Sequence, residues 1–287
     1  MYTLDEIRMF AKYHLKRRVV DYPARETELG ITLLDFDIDR YSEQIRSYGD
    51  RFELTILEEV SYQERRFEMF SLSSARDGRR ARKSLLVLAG VHGNEHAGLL
   101  AVPDILDGYL AREDRSVGLT VVTPCNPVGA AELSRYNAEG YDINRDFVRF
   151  DTPEARAVAR VFEDAAPDFI VALHEGPQDA TFMFTNRFVA DSLAHQLLVR
   201  LEEGGTTLAD RDYFKRTLEP RGYAPTSRTM WFINELWART LGMMATNMWA
   251  DRRGVPEITL ESSWRGTDRD ARIRPHADLV AGILDAL

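Results

Sequence analysis

The apolar residues of this chain fall into short continuous runs that alternate with helical patterns, and this arrangement restricts the fold more than any other feature. The clearest run, at residues 85–91, reads LLVLAGV and contains no polar position. A strand of this kind is buried on both faces by flanking helices. Shorter runs at 119–122, 169–173 and 258–260 predict further central strands.

Helical patterns separate these runs. Apolar residues recur three and four positions apart near residues 39–47, 95–110, 153–164, 190–202 and 268–286. Strands that alternate with helices predict an α/β fold with a mixed, mainly parallel sheet between helical layers. Because ligands of such folds bind beyond the carboxyl ends of the strands, polar residues that directly follow the apolar runs are the first candidates for a functional site.

The amino end of the chain precedes this alternating region. Residues 4–17 have the periodicity of an amphipathic helix, and two β-rich stretches, 52–60 and 66–72, predict a hairpin. We expect a helical N-terminal segment over residues 1–35 and one α/β domain over residues 36–287. A chain of 287 residues commonly forms one large domain in this fold class.

Charge and composition exclude several kinds of partner. Lys and Arg number 37 against 46 Asp and Glu, a net charge of −9, whereas a nucleic-acid surface requires a cationic footprint. No stretch approaches the roughly 18 apolar residues of a membrane span, and the first residues lack a signal-peptide pattern, so we expect a cytoplasmic protein without a membrane partner. The single cysteine, Cys125, excludes a CxxC metal site, so a metal would require His and carboxylate ligands. The oligomeric state cannot be read from the sequence.

Groups that can bind a metal follow three of the predicted strands. His92 and Glu95 follow the first run, and His174 follows the third. Glu261 follows the fourth run. A catalytic zinc site typically takes three protein ligands and leaves one position open for water, and two His with one Glu is a known set. His92, Glu95 and His174 therefore predict a site for one zinc ion, with Glu95 in the first turn of the next helix.

These residues belong to a series of ordered motifs. HGNE at 92–95 is followed by NPVG at 126–129, DINRDF at 142–147, LHE at 173–175 and ITLE at 258–261. The series resembles the zinc carboxypeptidase family and its relatives, the succinylglutamate desuccinylase/aspartoacylase group. An HxxE motif alone would be a weak signal, whereas five motifs in order are a strong one. The resemblance implies a zinc carboxypeptidase-like fold over the main domain.

The resemblance also implies a role for each motif. His92, Glu95 and His174 would hold zinc, whose bound water has a pKa of roughly 7. Glu261 would be the general base that takes the proton of this water and passes it to the leaving amine. Arg135 would face the developing oxyanion.

Further residues would bind substrate or orient a ligand. Asn144 and Arg145 would bind a substrate carboxylate, since a guanidinium group can form paired hydrogen bonds with it. Asp142 would accept a hydrogen bond from the far nitrogen of His92 and fix its tautomer. Tyr223, in a predicted loop, is a candidate for a tyrosine that contacts substrate.

Two assignments have alternatives in the sequence. Glu257 is a rival for the general base, because an offset of four residues on a strand keeps it on the same side as Glu261. His92 to His96 also fits the HxxEH pattern, in which both His bind zinc and Glu95 is the base. That pattern requires both His within one helix, and Gly93 after a buried strand disfavours it.

The expected activity is zinc-dependent amide hydrolysis. A carboxypeptidase-like peptidase acting on small peptides with a recognised carboxylate is favoured, because residues 61–70 resemble the segment before the first core strand of carboxypeptidases. A deacylase of N-acyl amino acids is the alternative within the same family. A non-catalytic module that binds carboxylate-ended peptides is the alternative of another class, and its signature would be loss of a ligand or of the base.

Overall fold

A mixed sheet of eight strands forms the centre of the protein. The computed structural model describes residues 16–18, 30–74 and 81–287. Its strands are β1 (Glu53–Tyr62), β2 (Arg65–Ser73), β3 (Lys83–Ala89), β4 (Val117–Thr123), β5 (Phe169–Gly176), β6 (Phe182–Thr185), β7 (Tyr223–Pro225) and β8 (Glu257–Ser263). They are arranged in the order β1-β2-β4-β3-β5-β8-β6-β7.

Four parallel strands, β4, β3, β5 and β8, form the middle of the sheet. Every residue of β5 and β8 is buried, as continuous apolar runs require. The antiparallel hairpin of β1 and β2 extends one side of the sheet, and β6 pairs antiparallel with β8 on the other. The predicted α/β class with a mixed, mainly parallel sheet is confirmed.

The hairpin between β1 and β2 closes through a two-residue loop. Gln63 and Glu64 have positive φ values of 47° and 63°. Positive φ at both central residues gives a turn whose twist matches that of the strands it joins. The hairpin predicted over residues 52–72 is therefore present.

Helices cover both faces of the sheet. They are α1 (Ile38–Ser47), α2 (His96–Leu100), α3 (Val102–Ala111), α4 (Pro127–Glu132), α5 (Pro153–Ala165), α6 (Asp191–Glu203), α7 (Arg228–Thr240), α8 (Thr246–Arg252) and α9 (Arg269–Ala286). Successive strand residues point to opposite faces. Val87 and Val171 accordingly share a core with α3, α6 and α9, whereas Leu86 and Ile170 share one with α5 and α8.

The N-terminal segment touches this domain where the structure describes it. Residues 4–15 of the predicted first helix lie outside the described residues. Arg18 forms an isolated antiparallel bridge with Tyr141, and the amide of Thr32 donates to the carbonyl of Trp264 at 2.9 Å. The division at residue 35 stays a prediction. None of the helices in the described ranges is long and apolar enough to cross a membrane.

Candidate metal centre and active site

The carboxyl ends of the parallel strands bring the motif residues together. The turn that carries His92 follows β3, and His174 lies on the neighbouring strand β5. His174 is paired in register with Glu261 on β8, so both side chains point to the same face of the sheet. The site therefore forms where strand-end residues were predicted to meet.

The turn after β3 depends on glycine. A Cβ atom at Gly93 would lie 2.0 Å from the backbone carbon of Gly129, so only glycine allows this turn to pack on the NPVG segment. The following helix α2 begins at His96, and Glu95 precedes it with φ −102° and ψ 75°. Placing Glu95 inside the first helical turn was therefore wrong by one residue, because the turn is longer than the motif indicated.

His92, Glu95 and His174 are buried, and their potential ligand atoms all lie within 4.8 Å of one another. Nδ1 of His92 lies 2.7 Å from Oε1 of Glu95, and Nδ1 of His174 lies 2.7 Å from Oε2 of Glu95. The two Nδ1 atoms are 3.1 Å apart. Ligands at zinc bond lengths in a tetrahedron are separated by about 3.4 Å. The three donors therefore suit a small divalent ion by type, and holding one would require them to move apart by about 0.3–0.7 Å.

Asp142 and Arg135 contact this triad from outside. Nε2 of His92, the nitrogen that faces away from the triad, lies 3.3 Å from Oδ1 of Asp142. Nε of Arg135 donates to Oδ2 of Asp142 at 2.8 Å, and its Nη1 lies 3.8 Å from Oε1 of Glu95. The Asp142 carboxylate can thus orient the His92 ring while Arg135 supplies positive charge at the edge of the triad.

The pKa values of the buried carboxyl groups of Glu95, Asp142 and Glu261 are shifted in different directions. Burial acts to raise the pKa of Glu95, but the adjacent His92 and His174 hold it well below its usual range. Burial likewise opposes ionisation of Asp142, and Arg135 then keeps its pKa low. The pKa of Glu261 is instead raised well above its usual range, first by burial and then by the charge of Glu95. A carboxyl group with a raised pKa can exchange a proton near neutral pH.

The structure separates Glu261 from its rival Glu257. Both lie on the same face of β8, but Glu257 is fully buried four residues nearer the start of the strand. Oε1 of Glu257 accepts a hydrogen bond from Oγ1 of Thr246 at 2.8 Å. Only Glu261 lies at the strand end that carries His174.

Asn144 and Arg145 lie in a 3₁₀ turn, Ile143–Arg145, directly after Asp142. Oδ1 of Asn144 accepts a hydrogen bond from the amide of Thr246 at 3.1 Å. Nη1 of Arg145 donates to the carbonyl oxygen of Asn144 at 2.8 Å. Asp142, which faces His92, therefore directly precedes a turn with two polar side chains able to bind a carboxylate.

Tyr223 does not join the other predicted site residues. It lies on β7 in register with Met183 of β6. The residue before Met183, Phe182, is the partner of Glu261, and successive residues of a strand point to opposite faces of the sheet. The side chain of Tyr223 is therefore on the opposite face of the sheet, where its hydroxyl donates to Oδ1 of Asp191 at 2.6 Å. The prediction that Tyr223 contacts substrate is corrected on this ground.

Tyr213 is the tyrosine near the site. Its ring centroid lies 5.7 Å from those of both Phe182 and Phe184, and Phe182 is paired in register with Glu261. Burial and then the charge of Glu261 raise the pKa of Tyr213 well above its usual value. No sequence pattern pointed to this residue, which lies in the long connection between α6 and β7.

His96 turns away from the triad. Its Nε2 lies 3.0 Å from the carbonyl oxygen of Ala130, and its ring stacks on Phe36 with centroids 4.2 Å apart. Burial lowers its pKa to about 4. This geometry opposes the HxxEH alternative, which requires His96 as a ligand.

Gln178 supports the strand end that carries Glu261. Its Nε2 donates to the backbone carbonyls of Glu261 and Ser262, each at 3.0 Å. A Cβ atom at Gly176 would lie 2.3 Å from Oε1 of Gln178 and 3.1 Å from Oε2 of Glu261. Glycine at position 176 therefore keeps room for both side chains.

Comparison with known proteins agrees with this arrangement. Residues 81–209 match the model of the succinylglutamate desuccinylase/aspartoacylase catalytic domain. The matched range contains the whole triad of His92, Glu95 and His174, in the order and geometry described above. The chain is similar to this catalytic domain over slightly less than half of its length.

Among curated proteins, the sequence similarity is to one part of longer carboxypeptidases. Carboxypeptidase 2 of Trichophyton rubrum is 27% identical over 136 residues, which cover 44% of this chain and 25% of that protein. The match therefore spans about a quarter of the length of the fungal relative.

Solved structures of the zinc carboxypeptidase fold resemble the chain over most of its length. The crystal structure of a Shewanella denitrificans protein assigned to the metallopeptidases has a TM-score of 0.67 at 19% identity and covers 87% of this chain and 90% of that one. A metallo-carboxypeptidase from Pseudomonas aeruginosa in complex with (2-guanidinoethylmercapto)succinic acid has a TM-score of 0.55 at 19% identity. It covers 87% of this chain and 68% of the other. These likenesses confirm the zinc carboxypeptidase-like fold.

Proposed function

We propose that the protein is a zinc-dependent amide hydrolase, and specifically a carboxypeptidase-like peptidase that acts on small peptides with a free carboxylate. The observation that carries this proposal is the meeting of His92, Glu95 and His174 next to Glu261 on the adjoining strand. Three ligands and a separate carboxyl group are what metal-assisted hydrolysis requires.

The ligand residues fit one zinc ion by type and spacing. Zinc held by two imidazoles and one carboxylate supplies a Lewis acid and lowers the pKa of the water it binds to roughly 7. His92 would bind through Nδ1, because its Nε2 faces Asp142. His174 would also bind through Nδ1, the atom that lies beside Glu95.

The remaining residues supply proton transfer and charge. The carboxylate of Glu261 would accept a proton from water and later donate it to the nitrogen of the leaving amine. Its raised pKa suits this double use, since one proton can stay on the group between the two steps. The guanidinium of Arg135, held by Asp142, would stabilise the negative charge that develops on the carbonyl oxygen of the substrate.

Substrate selection would come from the turn at 143–145. A guanidinium group can bind a carboxylate through two parallel hydrogen bonds, which Arg145 would provide while Asn144 donates through Nδ2. Tyr213, whose ring packs on that of Phe182 and which is close enough to Glu261 to feel its charge, would be an aromatic residue that contacts the substrate. The net charge of −9 supports a small-molecule substrate over nucleic acid.

A deacylase of N-acyl amino acids is the second candidate, favoured by the family model that matches residues 81–209. Both activities would use the same metal ligands and the same base. We favour the peptidase because residues 61–70, which include the turn and the first part of β2, resemble the segment before the first core strand of carboxypeptidases.

A substrate panel distinguishes these candidates. Peptides with free carboxyl ends, the same peptides amidated, and N-acyl amino acids should be incubated with the protein as purified, after chelation, and after return of zinc. The proposal expects turnover of the free-carboxylate peptides that chelation abolishes and zinc restores. Turnover confined to N-acyl amino acids would favour the deacylase, and binding without turnover would favour a non-catalytic module. Turnover unaffected by complete metal removal would contradict both the peptidase and the deacylase, since each is proposed to depend on the metal.

A further inference from the structure

A buried ion pair lies on the face of the sheet opposite the metal ligands. Nε and Nη2 of Arg272, on α9, each lie 2.8 Å from Oε1 of Glu175 on β5. The side chain of Arg272 is 2% exposed and that of Glu175 is fully buried. Because Glu175 follows His174 on a strand, its side chain points away from the metal site toward α9.

Glu175 is connected to the ligand Glu95 in two ways. The backbone amide of Glu175 donates to Oε2 of Glu95 at 3.2 Å, the oxygen that also lies 2.7 Å from His174. Oε2 of Glu175 accepts a hydrogen bond at 2.9 Å from the amide of Ala97, two residues after Glu95. One residue therefore holds both the carboxylate of Glu95 and the backbone that carries it.

Arg272 is in turn fixed by contacts of its own. Its Nη1 donates to the carbonyl oxygen of Thr32 at 2.6 Å and lies 3.4 Å from that of Gly266. The guanidinium thus joins α9, the segment before α1 and the loop before α9 to the carboxylate of Glu175. A donor fixed in this way gives the Glu175 carboxylate one orientation.

Stability alone does not explain this pair. Burying two charges costs several kcal/mol per ion in desolvation, and apolar pairs of similar volume often replace such pairs without loss. A pair retained here is better explained by the geometry that it imposes on Glu95. Residues outside the ligand set commonly set ligand orientation in metal sites.

We propose that Glu175 and Arg272 are positioning residues that hold Glu95 in the orientation required for metal binding. The inference rests on the proposed metal centre, but it does not require that the protein be a peptidase. Neither residue touches the metal position; Glu175 acts on Glu95 through its own amide and through Ala97, and Arg272 acts through Glu175.

The test measures zinc affinity by chelator competition, with unfolding by urea in the same samples. The variants are Glu175→Leu, Arg272→Met, the double variant that carries both, and Arg272→Lys. Each single variant should weaken zinc binding about 10–100-fold, the range found for residues outside the ligand set. The double variant leaves no unpaired charge buried, so it should regain part of the stability that each single variant loses. Its zinc affinity should stay low. Arg272→Lys keeps the charge and should restore part of the affinity.

A spectroscopic measurement adds a readout of coordination geometry. The visible absorption of the cobalt-substituted protein should change in band position or intensity in the double variant, because Glu95 would bind at a different angle. Asp251→Asn is the matched control. The side chain of Asp251 is 2% exposed and paired with Arg187, so this variant should lose stability without loss of zinc affinity.

The outcomes separate this inference from the proposed metal centre. If the wild-type protein binds zinc and the double variant binds it equally well with an unchanged cobalt spectrum, the positioning role is overturned and the metal centre stands. A wild-type protein that binds no zinc would contradict the metal centre and this inference together. The inference would also be overturned if Asp251→Asn loses zinc affinity in the same proportion to its loss of stability as the Glu175 and Arg272 variants do.

Discussion

Nδ1 of His92 and Nδ1 of His174 lie 3.1 Å apart, although 82 positions separate the two residues in the sequence. Each also lies 2.7 Å from one oxygen of the same carboxylate, that of Glu95. A shared divalent cation accounts for three buried donors at this spacing, because it satisfies all of them at once.

Replacing Asp142 with Asn should weaken zinc binding about 10–100-fold. Asp142 faces Nε2 of His92 and accepts from Nε of Arg135, so the neutral amide loses the charge that favours one tautomer of the ring. Chelator competition measures the effect. Asp168→Asn is the control, because Asp168 binds Lys83 and the amide of Ser84 at the amino ends of the strands. Equal zinc affinity of wild type and Asp142→Asn would contradict the orienting role.

Glu261→Gln should retain one zinc ion and lose at least a factor of about 100 in turnover, since general-base catalysis contributes on the order of 10²–10⁴-fold. Glu257→Gln tests the alternative base on the same face of β8. Its carboxyl group is held by Thr246 away from the triad, so this variant should keep its turnover. Activity assays at matched zinc content check both. A result in which Glu257→Gln is inactive and Glu261→Gln is active would reverse the assignment.

The contribution of Glu257 to the stability of the protein should fall as the pH rises from about 4.5 to about 8. Burial raises the pKa of Glu257 to about 8 from the ordinary value of 4.5. Between these values the folded state holds a proton that the unfolded state has released, so folding is favoured at the acid end and weakened toward pH 8. Glu257→Gln removes this titration, so the free energy of unfolding of the variant should lose less, or gain more, than that of the wild type as the pH rises through this range.

Urea unfolding of the metal-free protein at pH 5, 6, 7 and 8 measures this slope. Glu154→Gln is a useful comparison, because burial raises the pKa of Glu154 only to about 7. Glu154→Gln should therefore change the slope of the free energy of unfolding mainly below pH 7, whereas Glu257→Gln should change it up to about pH 8. Identical slopes for wild type and Glu257→Gln would show that Glu257 does not carry a proton in the folded state.

Gly176→Ala should reduce turnover in a variant that still folds. The added Cβ would lie 2.3 Å from Oε1 of Gln178 and 3.1 Å from Oε2 of Glu261, so both side chains must move. The displaced Gln178 would lose hydrogen bonds worth about 1 kcal/mol each. Gly108→Ala, in α3 with nothing within 4 Å of the added atom, is the control and should be neutral or slightly stabilising. A fully active Gly176→Ala variant would argue against this crowding.

The central strands and the candidate site residues at their ends could be predicted because burial on two faces leaves a continuous apolar run in the sequence. His92, His174 and Glu261 each follow such a run, and the parallel order of β3, β5 and β8 brings their ends together. The three-residue strand β7 offers no periodicity to interpret. Its register sets the face on which Tyr223 lies, so this residue was misplaced.

Other parts of the site depend on contacts that sequence spacing does not encode. Glu175 and Arg272 are 97 positions apart, and nothing in the sequence around either residue indicates that α9 packs against the end of β5. Tyr213 reaches the site from a long connection, through packing on Phe182 and Phe184. Such residues become visible only when the order of strands and the faces of the sheet are known.

The zinc content of the purified protein and of three single variants tests the central claim most directly. Metal analysis after removal of loosely bound ions should find one zinc ion per chain in the wild type and in His96→Ala, whose imidazole contacts Ala130 instead. His92→Ala and His174→Ala, folded by circular dichroism, should hold little or none. Full zinc occupancy in either of the latter two, or loss of zinc in His96→Ala alone, would contradict the assignment of His92, Glu95 and His174 as the metal ligands.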